Sequence, residues 1–135
     1  MPEALMIELL AQHAELRVMV DNCTKLIERL EDGAPVAGSL ALAVMKLRIA
    51  FDTHTRYEER HLRPLLMSEA AVDAHVQEHR ALHHTLDDTT IGALRDTIDA
   101  LEHHLDDEER YFVRTLTEQA QEASRTSQAR GSGGR

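Results

Sequence analysis

A chain of 135 residues with 24 acidic and 15 basic side chains, a formal net charge of −9, repels a nucleic-acid backbone, and no DNA or RNA partner is expected. The lone Cys23 cannot close an internal disulfide, which argues against an oxidising compartment and for the cytosol. The opening MPEALMIELLAQH has no basic lead, Glu3 and Glu8 interrupt its apolar residues, and no stretch is long enough to span a membrane, so neither export nor membrane association is expected.

The length suits one domain, and helix formers with apolar residues recurring at three and four predict an all-α protein. A first helix is predicted from about Glu3 to Glu31, with Leu5, Leu9, His13, Leu16, Val20, Cys23, Ile27 and Leu30 on one stripe. Asp32, Gly33 and Pro35 stop it. After the link DGAPVAG, Ser39 is the expected N-cap of a second helix whose inward row reads Leu40, Val44, Leu47, Phe51, His54, Glu58, His61 and Leu65. Pro64 should kink or finish it. Ser68 is placed to cap a third helix to about Leu86, with Val72, His75, His79, Leu82 and Leu86 inward. The stretch from Asp87 to Thr90 turns the chain into a fourth helix from about Ile91 to Ala123, carrying Leu94, Ile98, Leu101, Leu105, Glu108 and Phe112 on its apolar face.

Four long helices with short links predict an up-down-up-down four-helix bundle over residues 1–123. The remaining SRTSQARGSGGR, residues 124–135, has almost no apolar content and is expected to be a disordered tail.

Nine histidines are present, eight of them between His54 and His104, a clustering that suggests metal binding. The sequence also repeats itself. His54-Thr-Arg-Tyr-Glu58-Glu59-Arg60 and His104-Leu-Asp-Asp-Glu108-Glu109-Arg110 share the pattern HxxxEER, and Gln12-His13-Ala-Glu-Leu16 aligns with Glu78-His79-Arg-Ala-Leu82. The chain thus reads as two helical hairpins of one design. Positions four apart on an α-helix differ by about 400° and share a face. His54 with Glu58, His75 with His79, and His104 with Glu108 can therefore each reach one site, and His13 completes the ring.

Glu58 and Glu108 fall within apolar stripes, where an unpaired carboxylate costs several kcal/mol. None of the expected inner stripes offers a Lys or Arg to neutralise them, which leaves cations as the natural counter-charge. Mixed imidazole and carboxylate donors suit iron, with manganese and zinc as other candidates.

The ordered set His13, His54xxxGlu58, His75xxxHis79 and His104xxxGlu108 resembles the hemerythrin family, the HHE cation-binding domain, over nearly the whole chain to about residue 120. The resemblance implies two iron ions bridged by Glu58, Glu108 and an oxo or hydroxo group. It implies that His75, His79 and His104 hold one iron and His13 and His54 the other, which keeps an open position for dioxygen or a related small oxidant. Family members differ in whether the helix-four histidine precedes its acid by four residues or five. The repeat selects His104, since His103 is rotated about 140° from Glu108. The link between the first two helices looks longer than in the family's oxygen carriers.

Other residues are read more plainly. His83 and His84 are expected at the surface or behind the ligands. His61 and its repeat counterpart Tyr111 either line the pocket or pack at the core edge. Glu59 and Glu109 are expected to be solvated, and Met6, Met19, Met45 and Met67 to fill core. Two uses of the site stand open: dioxygen binding for storage or sensing, and consumption of peroxide or nitric oxide by a catalase-like enzyme. A metal-free interaction module fits the intact ligand set less well. A second ExxH motif, as in ferritin-like oxygenases, is missing beside Glu58-Glu59-Arg60-His61. The pattern assigns no catalytic residue and no protein partner.

Overall fold

The computed structural model describes residues 2–87 and 90–133, which are helical apart from short links. The elements are α1 (Pro2–Glu31), α2 (Ala37–Tyr57), a π-helical turn (Glu58–Leu62), α3 (Arg63–Leu66), α4 (Glu69–Thr85) and α5 (Ile91–Gly133). Because α2, the π turn and α3 follow one another without a break, the described residues form four helical rods. The turn expected from Asp87 to Thr90 lies partly outside the described residues.

In α1 the expected stripe is the buried one: Leu9, His13, Leu16, Val20, Cys23 and Ile27 are all inside. Its end follows from Gly33, which takes φ +90° and lets Gly33 N–H reach Leu30 O at 3.0 Å and Ala34 N–H reach Arg29 O at 2.9 Å. This pair of bonds satisfies the last carbonyls and needs a residue tolerant of the left-handed region. The next helix starts earlier than expected. Val36, not Ser39, is its N-cap, and Leu40 N–H already bonds Val36 O at 2.8 Å. Val36 is drawn in by burial at 7% exposure, so the helix begins where the core begins and Ser39 is left exposed. Ser68 does cap α4, its hydroxyl accepting from Ala71 N–H at 3.2 Å.

The main departure from simple periodicity is the π turn. Arg63 N–H bonds to Glu58 O, five residues back, and Pro64 follows at the second position of α3. Pro64 has no N–H to return to the preceding turn, and one wide turn absorbs the mismatch without ending the rod. The extra residue rotates everything after it. Leu62, Arg63 and Leu66 are buried, while His61 and Leu65 face solvent. The inward row beyond Glu58 is therefore Leu62 and Leu66, and the expected His61 and Leu65 are displaced from it.

Each rod packs on its neighbours, α1 on α2 and α5, α4 on α5, and α2 on α4, closing a ring of four. Two apolar clusters fill it. The larger joins Leu16, Val20, Ile27, Leu47, Phe51, Leu101, Leu105 and their neighbours; the smaller joins Leu9, Leu62, Leu66 and Phe112. Between them, along every rod, lies a belt of buried histidine and glutamate. Met6, Met19 and Met67 pack against these clusters, whereas Met45 is 50% exposed and fills no core.

The last rod runs on past Ala123 to Gly133, where composition leads one to expect an irregular tail. Residues 117–127 are all exposed, so the extension past Ala123 rests on its own backbone bonds and on the helix propensity of Arg125, Gln128, Ala129 and Arg130. No helix among the described residues is long and apolar enough to cross a membrane.

Candidate metal centre

Four rods deliver seven polar side chains to the belt: His13 from α1, His54 from α2, Glu58 from the first residue of the π turn, His75 and His79 from α4, and His104 and Glu108 from α5. All seven are buried. They form two groups of converging donor atoms. Glu58, His75, His79, His104 and Glu108 make one, and His13, His54, Glu58 and Glu108 the other, with the donors of each group within 4.8 Å of one another. The two carboxylates belong to both. All seven residues singled out by spacing are thus brought together, and His104 rather than His103 is among them. His103 lies outside, its Nδ1 2.8 Å from Asp99 O.

The five imidazoles share one orientation. Each turns Nε2 inward: His13 Nε2 lies 3.3 Å from His54 Nε2 and 3.1 Å from Glu108 Oε1, and His79 Nε2 lies 2.8 Å from His104 Nε2. His75 Nε2 sits 2.9 Å from Glu58 Oε2 and in close contact with Glu108, while His54 Nε2 closely approaches Glu58. Each turns Nδ1 outward to a partner. His54 Nδ1 donates to Gln12 Oε1 at 2.8 Å, His104 Nδ1 to Glu78 Oε1 at 2.6 Å, and His13 Nδ1 to Glu109 Oε1 at 3.1 Å. His75 and His79 instead share Arg63, whose Nε donates to His75 Nδ1 at 2.9 Å and whose Nη2 stands 3.3 Å from His79 Nδ1.

Electrostatics in the belt are strongly skewed. Burial by itself would depress the histidines, but the close contacts and charge of Glu108 and Glu58 outweigh it and carry His54 up to about 9. Glu108 and Glu78 carry His104 up to about 10 against the same burial. Burial would raise Glu108, yet hydrogen bonding from the surrounding groups holds it well below the ordinary carboxylate range. On His79 burial wins, and its pKa falls. Protonated imidazoles could therefore neutralise the two acids, which is the simplest metal-free account. It fails on placement. The two oxygens of Glu58 meet the Nε2 atoms of His54 and His75, yet neither contact is aligned as a hydrogen bond, and a buried carboxylate without one costs several kcal/mol. Nε2 also faces Nε2 twice over, an arrangement in which fully protonated rings would set donor against donor. Nε2 atoms converging from five rings beside two carboxylates are the donor set a cation requires, and for His13, His54 and His104 an outward Nδ1–H held by a carboxylate or amide oxygen is the usual way of fixing a metal-ligating imidazole. The residues fit a metal.

Spacing alone missed four neighbours. Gln12 and Glu78 were visible in principle: they are aligned residues of the repeat, just before His13 and His79, and each holds the histidine of the following rod. Glu109 is only partly solvated, at 24% side-chain exposure, because Arg17 binds it at 2.6 Å against His13; Arg17 holds its carboxyl below the usual range. Arg63 carried no signal, since only the π turn brings it inside. Its presence also corrects the expectation that no Arg or Lys enters the histidine-bearing core. His61 packs on Tyr57 at the surface with ring centroids 5.0 Å apart and does not reach the belt. His83 stacks on Phe51 at 4.6 Å, and His84 is exposed.

Two grooves approach the belt. One of about 450 Å³ between α1 and α2, lined by Glu8, Gln12, Glu15, Lys46 and Ile49 among others, ends on His54. The other, of about 240 Å³, runs between α4 and α5 past Met67, Glu78 and Tyr111 to His75, His104 and Glu108. Tyr111 lines it through its ring, while its hydroxyl donates to Leu66 O at 3.3 Å.

Comparison with known proteins agrees with this geometry. The hemerythrin HHE cation binding domain matches residues 6–116, a span that contains all seven belt residues. No curated protein and no solved structure matches the chain. A helical ring enclosing a buried histidine and glutamate cluster of this kind, within that match, means that the chain belongs to the hemerythrin HHE cation-binding domain family and is a metal-binding protein of the iron type.

Proposed function

We propose that the protein is a non-heme di-iron protein that binds dioxygen or a related small oxidant, for storage or sensing. His75, His79 and His104 are the ligands of one iron, His13 and His54 of the other, and Glu58 and Glu108 serve both. The observation that carries this reading is the unequal division of donors: the shared carboxylates face three imidazoles on one side and two on the other. Iron with mixed nitrogen and oxygen donors commonly takes six ligands, so the side with two imidazoles is the one with room for a small molecule. The larger groove ends on that side, at His54. When bound, the metals supply the electrons and Lewis acidity that dioxygen chemistry needs.

The residues of the chain do the rest. Gln12, Glu78 and Glu109 orient three of the rings, and Phe51, Leu62 and Phe112, each at most 1% exposed, keep bulk water from the belt. Two carboxylates supply less negative charge than the carboxylate-rich sites that support high-valent iron, which favours reversible binding. The test is anaerobic iron loading followed by optical spectra on adding oxygen, peroxide or nitric oxide. A spectrum that appears with oxygen and reverses when oxygen is removed supports the proposal. Sustained oxygen release from peroxide would replace it with a catalase-like enzyme.

A further inference from the structure

The two hairpins repeat each other in sequence but not in the order of charges behind their rings. In the first, the Nδ1 of His13 meets a carboxylate, Glu109, and an arginine, Arg17, stands outside it. The repeat pairs Glu109 with Glu59 and His13 with His79, so Glu59 should stand against His79. It does not. The π turn leaves Glu59 54% exposed and swings Arg63, 7% exposed, between the two. Arg63 stands against the outer nitrogens of both His75 and His79, at 2.9 and 3.3 Å, and reaches Glu59 with its remaining Nη1 at 3.3 Å. Carboxylate inside and arginine outside in one hairpin becomes arginine inside and carboxylate outside in the other.

Resting on the di-iron reading above, we propose that Arg63 is a positioning residue that makes the two irons inequivalent, its fixed charge rendering the iron of His75, His79 and His104 the more easily reduced. A guanidinium keeps its charge at any working pH. Here it is buried one ring away from the metal position, where its field is little screened, whereas Glu59 at the surface is well screened and offsets it poorly. A positive neighbour destabilises the more highly charged ferric ion more than the ferrous one. His13 and His54 meet oxygen acceptors at Nδ1, as His104 does at Glu78, and such acceptors push electron density toward the metal; the cation stands behind His75 and His79 alone. The iron of His13 and His54 carries no such bias.

The test compares wild type with Arg63→Lys, Arg63→Gln and Arg63→Leu, loaded anaerobically with ferrous iron. Iron per chain, helical content and the two midpoint reduction potentials are measured for each. The expected result is two irons throughout, with the higher midpoint shifted down in Arg63→Gln and Arg63→Leu while the lower stays in place. Arg63→Lys, which keeps the charge but not the paired donors, should remain close to wild type. A higher midpoint unmoved in Arg63→Gln overturns the inference, and so does a fall of both midpoints together in all three variants, the mark of a purely structural role. Should Arg63→Leu lose helix, Arg63→Gln decides alone. Fewer than two irons in the wild type would overturn the di-iron reading itself, and this inference with it.

Discussion

What the outer nitrogen of each belt histidine touches decides how firmly its inner nitrogen is aimed. Glu78 holds His104 and Gln12 holds His54, so removing either should loosen a ring without deleting a ligand. Glu78→Ala is expected to weaken metal binding by roughly 10- to 100-fold, whereas His103→Ala, one residue from a ligand but pointed at Asp99 O, should leave it unchanged; a calorimetric titration with cobalt distinguishes them. Protons compete at the same atoms. A histidine whose pKa is raised holds its proton below the raised value and must give it up to a metal, and the neighbouring carboxylates hold His54 up to about 9 and His104 up to about 10. Binding at pH 7 should therefore release protons, and affinity should climb as pH rises from 6 toward about 10, where His104 loses its proton unaided, before levelling off. Proton release in weakly buffered solution measures this, and a flat profile between pH 6 and 8 would contradict it. Six of the seven belt residues were legible in the sequence because each sits four residues from another on its own rod, and His13 because the repeat aligns it with His79. Arg63 was not, because its position depends on a backbone irregularity that no spacing rule contains.

Among the elements, the π turn is where periodicity and structure part. Leu62, Leu65 and Leu66 are all leucine, so either inward row continues plausibly beyond Glu58, and only the wide turn selects Leu62 and Leu66. The choice is measurable by stability. Leu62→Ala removes a side chain 1% exposed and should cost about 2–5 kcal/mol, while Leu65→Ala, at 63% exposure, should stay within about 0.5 kcal/mol. Urea unfolding at constant m-value reports both, and the opposite ranking would restore the regular row. Other boundaries were read well where a single residue dictates them, as Gly33 does for α1 and Ser68 for α4. They were read less well at Ser39, where burial of Val36 outranked a good capping side chain.

For the molecule as a whole, the ring of four rods and its pairing into two hairpins follow from the repeat. The division into two apolar clusters with a polar belt between them follows from where the repeat places its histidines. The end of α5 is the exception: composition suggested an irregular tail, while helix formers through residue 130 carry the rod on. Since side chains from 117 to 127 are exposed, the extension adds little burial. Truncation after Ala123 should leave the urea midpoint and the metal content of the protein unchanged.

The central claim is that two shared carboxylates and five imidazoles hold a pair of irons. Counting iron per chain after anaerobic loading and desalting, in wild type and in Glu58→Ala, tests it most directly. Two irons in the wild type and a sharp loss in the variant are predicted; one iron or none in the wild type, or two irons retained without Glu58, would contradict it.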